Sequence, residues 1–352
     1  MPRLDLAHVL AISERMMHVK PPVCSQVGAC RSAVASLQAA VPARGRVTCK
    51  VKIVGFLLLA SALSLGSMPG FAASKAGLKI GVLEDLPGHY ADQSNFRGVR
   101  VVFQKEGRKW RPYPSDCSDQ KCLKRVGSRY PKSVTWNIGL SGKRLGQVTG
   151  QTPMDFEFYG DVGLQKLAAN APIPMVGKRS TEYAGFNGSP VFRPLIASSQ
   201  SHFADPDAWK ASPLSQGSVR ALRRQFREIF PKVSNCVNPE QNRLAPWRYT
   251  NADIRLIKSY VAKTGRAFAQ LALADYRCDG PPSGGFISQS FAISPKGQVT
   301  LLDAGLIFLD AGDYDHSGRS SVIFSIDRYN RGGYVIYYDD FKSRAVFQFS
   351  YH

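Results

Sequence analysis

The chain reads as a mainly β protein, with short antiparallel strands and hairpins in a propeller-like or sandwich arrangement and one amphipathic helix near residues 218–230. Three observations predict this. Short runs rich in Val, Ile, Phe, Tyr and Trp recur along the chain, and such residues suit a pleated, half-buried surface. Gly, Pro, Asn, Asp and Ser cluster between those runs, where turns are needed. One stretch alone carries apolar residues at a clear helical period.

Taken in order, the strands begin at Lys79-Ile80-Gly81-Val82-Leu83-Glu84, with Pro87-Gly88 as the turn. Val99 to Phe103 leads through Lys105-Glu106-Gly107-Arg108 to Trp110, Arg111 and Tyr113, a hairpin pattern. Val134 to Leu140 alternates, turns at Ser141-Gly142-Lys143 and resumes from Leu145 to Thr149. The pattern recurs in Tyr260-Val261-Ala262 with Ala267 to Leu273, and in Phe286 to Ile293 with Gln298 to Leu302. Between them, Pro172 to Pro213 is rich in Pro, Ser and Gly and reads as a long surface excursion. The helix follows: Ser218 is its expected cap, Val219, Leu222, Phe226, Ile229 and Phe230 share a face, and Pro231 stops it. Its outer face carries four arginines, a pattern expected of a core-packed helix with a solvated side.

The N-terminal quarter predicts an address. Val51-Lys52 precedes the apolar run Ile53 to Leu65, and small residues follow from Gly66 to Ala73. A positive start, a short apolar core and a small-residue cleavage region make a secretory signal peptide, placed at 51–73. The core falls short of the roughly 20 residues that cross a bilayer. A signal peptide belongs at an N-terminus, so residues 1–50 are expected to be a non-native upstream extension, with translation starting near Val51. Residues 74–352 then form a single β-rich exported domain, periplasmic or extracellular.

Charge and cysteines are read on that basis. The whole chain carries 46 Lys/Arg against 26 Asp/Glu, and beyond residue 76 the balance is 37 against 24. In an exported protein such a surplus reads first as general solubility, and the partner it would otherwise imply is an anionic envelope polymer or lipid surface, not nucleic acid. Of seven cysteines, four lie in the exported part: Cys117, Cys122, Cys236 and Cys278. An even number in an oxidising compartment implies disulfides. Three pairings are open, and the expected one joins Cys117 to Cys122 and Cys236 to Cys278.

One loop carries a candidate site. Leu306 to Leu309 enters Asp310-Ala311-Gly312-Asp313-Tyr314-Asp315-His316-Ser317-Gly318-Arg319-Ser320-Ser321, and Val322 to Ile326 leaves it. Counting from Asp313, oxygen-bearing side chains fall at positions 1, 3, 5 and 9 (Asp313, Asp315, Ser317, Ser321), with Gly318 at 6 and the Arg319 carbonyl at 7. Calcium takes six to eight oxygens, and alternate side chains in a tight loop converge on one point. The stretch Gly312 to Gly318 with its following strand resembles the calcium loop of FG-GAP/VCBS-type repeats, the β-propeller blades of integrin α-subunits and many secreted bacterial proteins. The resemblance implies a blade-like segment at 306–352, with adjacent strands joined through the loop and Asp313, Asp315, Ser317, Arg319 and Ser321 as ligands. Positions 5 and 9 are acids in that family and Ser here, so the implied calcium affinity is weak, ~10⁻⁴ to 10⁻³ M. The tail, Arg328 to Tyr334 with Tyr338 to Phe341, also resembles the end of a group of uncharacterised secreted bacterial proteins.

Catalytic signatures are scarce. The sequence has no HExxH pair, GxSxG elbow or phosphate loop. His89, His202, His316 and His352 are far apart in sequence, and Asp205/Asp207 and Asp339/Asp340 read as turn formers. The expectation is a noncatalytic cell-envelope binding or structural protein, and the alternative is a hydrolase of extracellular polymers using scattered carboxylates.

Overall fold

In a computed structural model the described residues are 77–350, apart from 87–95, 116–123, 125–126, 154–161, 169–171, 184–188, 239–242, 274–286 and 329–330. Ala72–His352 forms one compact unit. The expected upstream extension and signal peptide lie outside the described residues, as do Cys117, Cys122 and Cys278; of Cys236 only the backbone is described. No helix among the described residues is long and apolar enough to cross a membrane.

The fold is mainly β, as the turn-punctuated apolar runs predict. Its strands are β1 (Lys79–Leu86), β2 (Phe96–Glu106), β3 (Lys109–Pro112), β4 (Val134–Leu140), β5 (Lys143–Pro153), β6 (Leu164–Leu167) and β7 (Leu195–Ser198) in the first sheet. The order there is β1-β7-β4-β5-β6-β2-β3, and a further β1–β2 pairing closes six of the strands into a barrel. Closure removes the exposed edges that a short-stranded sheet would otherwise present. Next come β8 (Lys210–Ala211), α1 (Gln216–Ile229), and the β9 (Val233–Asn238) and β10 (Arg243–Trp247) pair. A third sheet has the order β14-β13-β12-β11-β8, from β11 (Ile254–Val261), β12 (Ala267–Leu273), β13 (Ser288–Ile293) and β14 (Val299–Leu301). The chain ends in a four-stranded meander of β15 (Leu306–Gly312), β16 (Ser321–Arg328), β17 (Arg331–Tyr338) and β18 (Ser343–Ser350).

These sheets stack in layers, and the meander lies in the middle. Leu309, Ile323, Tyr334, Ile336, Ala345 and Phe347 join the barrel's core. Their strand neighbours Phe308, Val322, Phe324, Val335 and Tyr337 point the other way, into a core shared with Phe268 and Ala292 of the β11–β14 sheet. Burial on both faces explains why β16 and β17 read as near-continuous apolar runs instead of alternating ones. The far face of the β11–β14 sheet packs against α1 through Leu222 and Phe226.

A buried ion pair ties barrel to meander. Arg100, 1% exposed, forks onto Glu84 with Nε–Oε1 at 2.6 Å and Nη2–Oε2 at 2.9 Å. The Tyr334 hydroxyl donates to the same Glu84 Oε1 at 2.6 Å, and the Arg100 guanidinium lies 4.6 Å from the centre of the Phe349 ring.

Two local expectations need correction. Within 172–213 the stretch 194–198 is no surface excursion. Leu195, Ile196, Ala197 and Ser198 are all fully buried as β7, a barrel strand between β1 and β4. Farther along, Phe203 presses so closely on Gly139 that an added Cβ would sit 2.3 Å from its ring. The apolar signal was four residues long and masked by the Pro and Ser around it. The helix also starts earlier than its apolar stripe suggested. Ser215 is the cap, accepting the Ser218 amide at 3.1 Å, and the Ser218 hydroxyl lies 3.0 Å from that of Ser215.

Candidate functional site

The 313–320 loop joins β15 to β16, which are neighbouring antiparallel strands with Gly312 opposite Ser321. Gly318 takes φ +77°, the left-handed conformation for which glycine is suited, and His316 is also left-handed at φ 55°. Asp313 holds the loop's shape itself. Its Oδ1 accepts the Ser317 amide at 2.7 Å and the Ser317 hydroxyl at 3.1 Å, and its Oδ2 accepts the Gly318 amide at 2.9 Å. The Ser317 hydroxyl also lies 3.4 Å from the Arg319 carbonyl. Asp313, Ser317 and the Arg319 carbonyl are thus brought together, while Ser321 is 3% exposed in the β16 ladder.

Asp315 reaches elsewhere. Its Oδ2 pairs with Nζ of Lys105 from the end of β2, an ammonium that also lies 4.9 Å from the Trp110 ring centre and 5.6 Å from that of Tyr338. Burial pushes the Asp315 carboxyl up, but the bond and charge of Lys105, with the Ser317 dipoles nearby, outweigh it and hold the group below its ordinary range. Its Oδ1 is buried and makes no hydrogen bond.

As a calcium cage the donor set is incomplete. Both Asp313 oxygens face amide protons of the loop, and Asp315 faces a lysine, so a positive group already stands where the second carboxylate would meet the ion. No cluster of three His, Cys, Asp or Glu suited to a metal occurs among the described residues.

The loop is latched to the 203–209 segment. The Asp313 amide donates to the Ala204 carbonyl at 2.7 Å, and the Ser320 amide to Asp207 Oδ2 at 3.0 Å. Asp207 also pairs with Arg266 at 2.5 Å, and Asp205 accepts the Trp209 amide at 2.7 Å. These two acids act as turn formers and anchors, in keeping with their sequence context. Sequence reasoning missed a pair of histidines here. His202 and His316 have ring centres 4.2 Å apart, with His202 Nε2 3.9 Å from Asp313 Oδ2 and His316 Nε2 3.1 Å from Gln200 Oε1. Nothing in the sequence relates them, because their contact depends on the latch.

Beneath the loop Asp310 is buried at 3% exposure. Its Oδ1 accepts the Ser141 amide at 2.8 Å, and its Oδ2 accepts the Tyr314 hydroxyl at 3.1 Å. Burial drives its pKa up to about 7, against the opposing pull of those bonds and of Arg193.

The second feature is the outer face of α1. Arg220, Arg223, Arg224 and Arg227 line a shallow cleft of about 480 Å³ with Glu228 and Asn251. Arg223 Nε donates to the Ile254 carbonyl at 3.3 Å. Arg227 donates to Asn251 Oδ1 and to the Tyr249 carbonyl, both at 3.3 Å, and lies 5.7 Å from the Tyr249 ring centre. Comparison with protein-family models, curated proteins and solved structures finds no match to this chain.

Proposed function

We propose that the chain is an exported, noncatalytic binding protein of the cell envelope whose partner is anionic. The observation that carries this reading is the clustering of positive charge on α1: four arginines line one cleft with a single acid, Glu228, among them. The signal-peptide pattern at 51–73 and the surplus of 37 Lys/Arg over 24 Asp/Glu beyond residue 76 support it. Such surfaces attract polyanions, and salt weakens the attraction.

Fractionation of cells producing the full chain tests the reading. The protein is expected with the envelope, shortened to a start between residues 73 and 77, and released by about 0.5 M salt as the charges are screened. Retention of residues 1–50 on a cytoplasmic product, or an envelope association indifferent to salt, would sink it.

Calcium enters as a second reading, supported by the unbonded Asp315 Oδ1 and by the oxygens gathered around Ser317. In this reading Lys105 takes the ion's place in the resting loop. Calcium then competes with the ammonium for Asp315, with Asp313, Ser317, Ser321 and the Arg319 carbonyl as further ligands, at an affinity no better than ~10⁻³ M.

A further inference from the structure

We infer that the arginine cleft on α1 binds a linear phosphodiester polymer along the helix axis, a conclusion that rests on the envelope-binding reading and names its site and ligand. The four arginines stand at i, i+3, i+4 and i+7. They therefore share one stripe about 10 Å long, with charge at three levels about 5 Å apart along the axis and Arg223 and Arg224 together at the middle one. That stripe opposes the helix's own stability. Like charges at i, i+4 repel, as Arg220 with Arg224 and Arg223 with Arg227 do here. A local rule broken by four arginines with the single acid Glu228 to offset them points to an external partner.

The cleft is partly built. Arg223 and Arg227 are held by the Ile254 and Tyr249 carbonyls and by Asn251. Arg220 and Arg224 make no hydrogen bond or ion pair among the described residues, and both are exposed. Guanidinium forks match phosphate oxygens in pairs, so successive phosphodiesters of a chain laid along the axis can meet the three levels in turn.

A bilayer fits less well. Helices that lie in a membrane surface bury an apolar face in it. Here Leu222 and Phe226 are committed to the core, and among the described residues the cleft is lined by Arg, Glu and Asn alone. Single-stranded nucleic acid is held by aromatic platforms as well as charge, and no aromatic side chain lines the cleft.

The test is binding of a fluorescent poly(glycerol phosphate) oligomer of roughly ten units, a length chosen to exceed the stripe, to the exported chain, with phosphatidylglycerol vesicles as a parallel arm. Four contacts predict log affinity falling with log salt at a slope of about −3. Arg220→Gln/Arg224→Gln should weaken binding at least tenfold at low salt and flatten the slope by about 1 to 2. Both side chains are exposed, so the double variant should melt with the wild type. Oligomer binding unchanged in the double variant would overturn this site while leaving the envelope-binding reading standing. Binding to vesicles but not oligomer would overturn the polymer in favour of a lipid surface. Binding to neither would bring down both readings.

Discussion

Replacing Asp310 by Asn should abolish one component of the protein's pH dependence, and its sign can be worked out. The carboxyl is buried beneath the loop with its pKa driven up to about 7, against about 3.9 in an unfolded chain. Between those values the folded state holds a proton that the unfolded state has released. Stability from this group is therefore fully present near pH 4, falls as pH rises towards 7, and is flat above. A shift of about 3 units corresponds to roughly 4 kcal/mol, of which about 2 kcal/mol is lost between pH 5 and 7. Asn keeps the shape: its oxygen accepts the Ser141 amide and its amide donates to the Tyr314 hydroxyl, at the positions where those groups now meet Asp310. Urea unfolding of both proteins at pH 5, 6, 7 and 8 reads the difference. The stability gap should move in favour of the Asn variant by about 1.4 kcal/mol per pH unit up to 7 and then level off. A gap constant from pH 5 to 8 would refute the argument, because the buried group would then not titrate differently in the two states.

Three further outcomes are expected. Glu84→Gln removes the carboxylate onto which buried Arg100 forks and should cost about 3–5 kcal/mol in thermal unfolding, whereas Glu84→Met with Arg100→Met should cost less than the single change. Ser215→Ala should cost about 1 kcal/mol and Ser218→Ala less, measured by denaturant midpoint; the reverse order would put the cap back where the apolar stripe suggested. Lys105→Met should lower stability by stranding Asp315, and calcium at about 10 mM should then raise the melting temperature of the variant more than that of the wild type; equal shifts would mean that ammonium and ion do not compete.

What was legible in the sequence was local. Lys143 follows Leu140 after a two-residue turn at Ser141-Gly142, and β4 and β5 pair across it. Arg331 to Tyr338 and Ser343 to Ser350 pair across a turn built on left-handed Asp339, Asp340 and Phe341. Turn chemistry and strand composition carry such pairs because everything needed lies within a dozen residues. Barrel closure was not legible. It depends on β7 returning to lie between β1 and β4, and on β6 bridging β5 to β2, and no periodicity encodes either. The loop's oxygen pattern was equally visible, but its partners were not. Lys105 is separated from Asp315 by 210 residues, and the Gln200 that meets His316 by 116.

The fate of the loop's acids follows from the same non-local contacts. An Asp-x-Asp-x-Ser-Gly stretch supplies oxygens at alternate positions, yet each oxygen is equally able to accept an amide proton, and the fold decides which happens. Asp313 is turned inward by the Ser317 and Gly318 amides, Asp207 by Arg266 and the Ser320 amide, and Asp315 by Lys105. Carboxylates in and around the loop are therefore drawn into internal pairs, and the basic side chains that answer them are drawn in too. Arg220 and Arg224 make no ion pair among the described residues, because α1 offers only Glu228 against four arginines on that side and its other face is committed to the core. A positive surplus left over after internal pairing collects where the fold supplies too few carboxylates, and on this molecule the helix face is such a place.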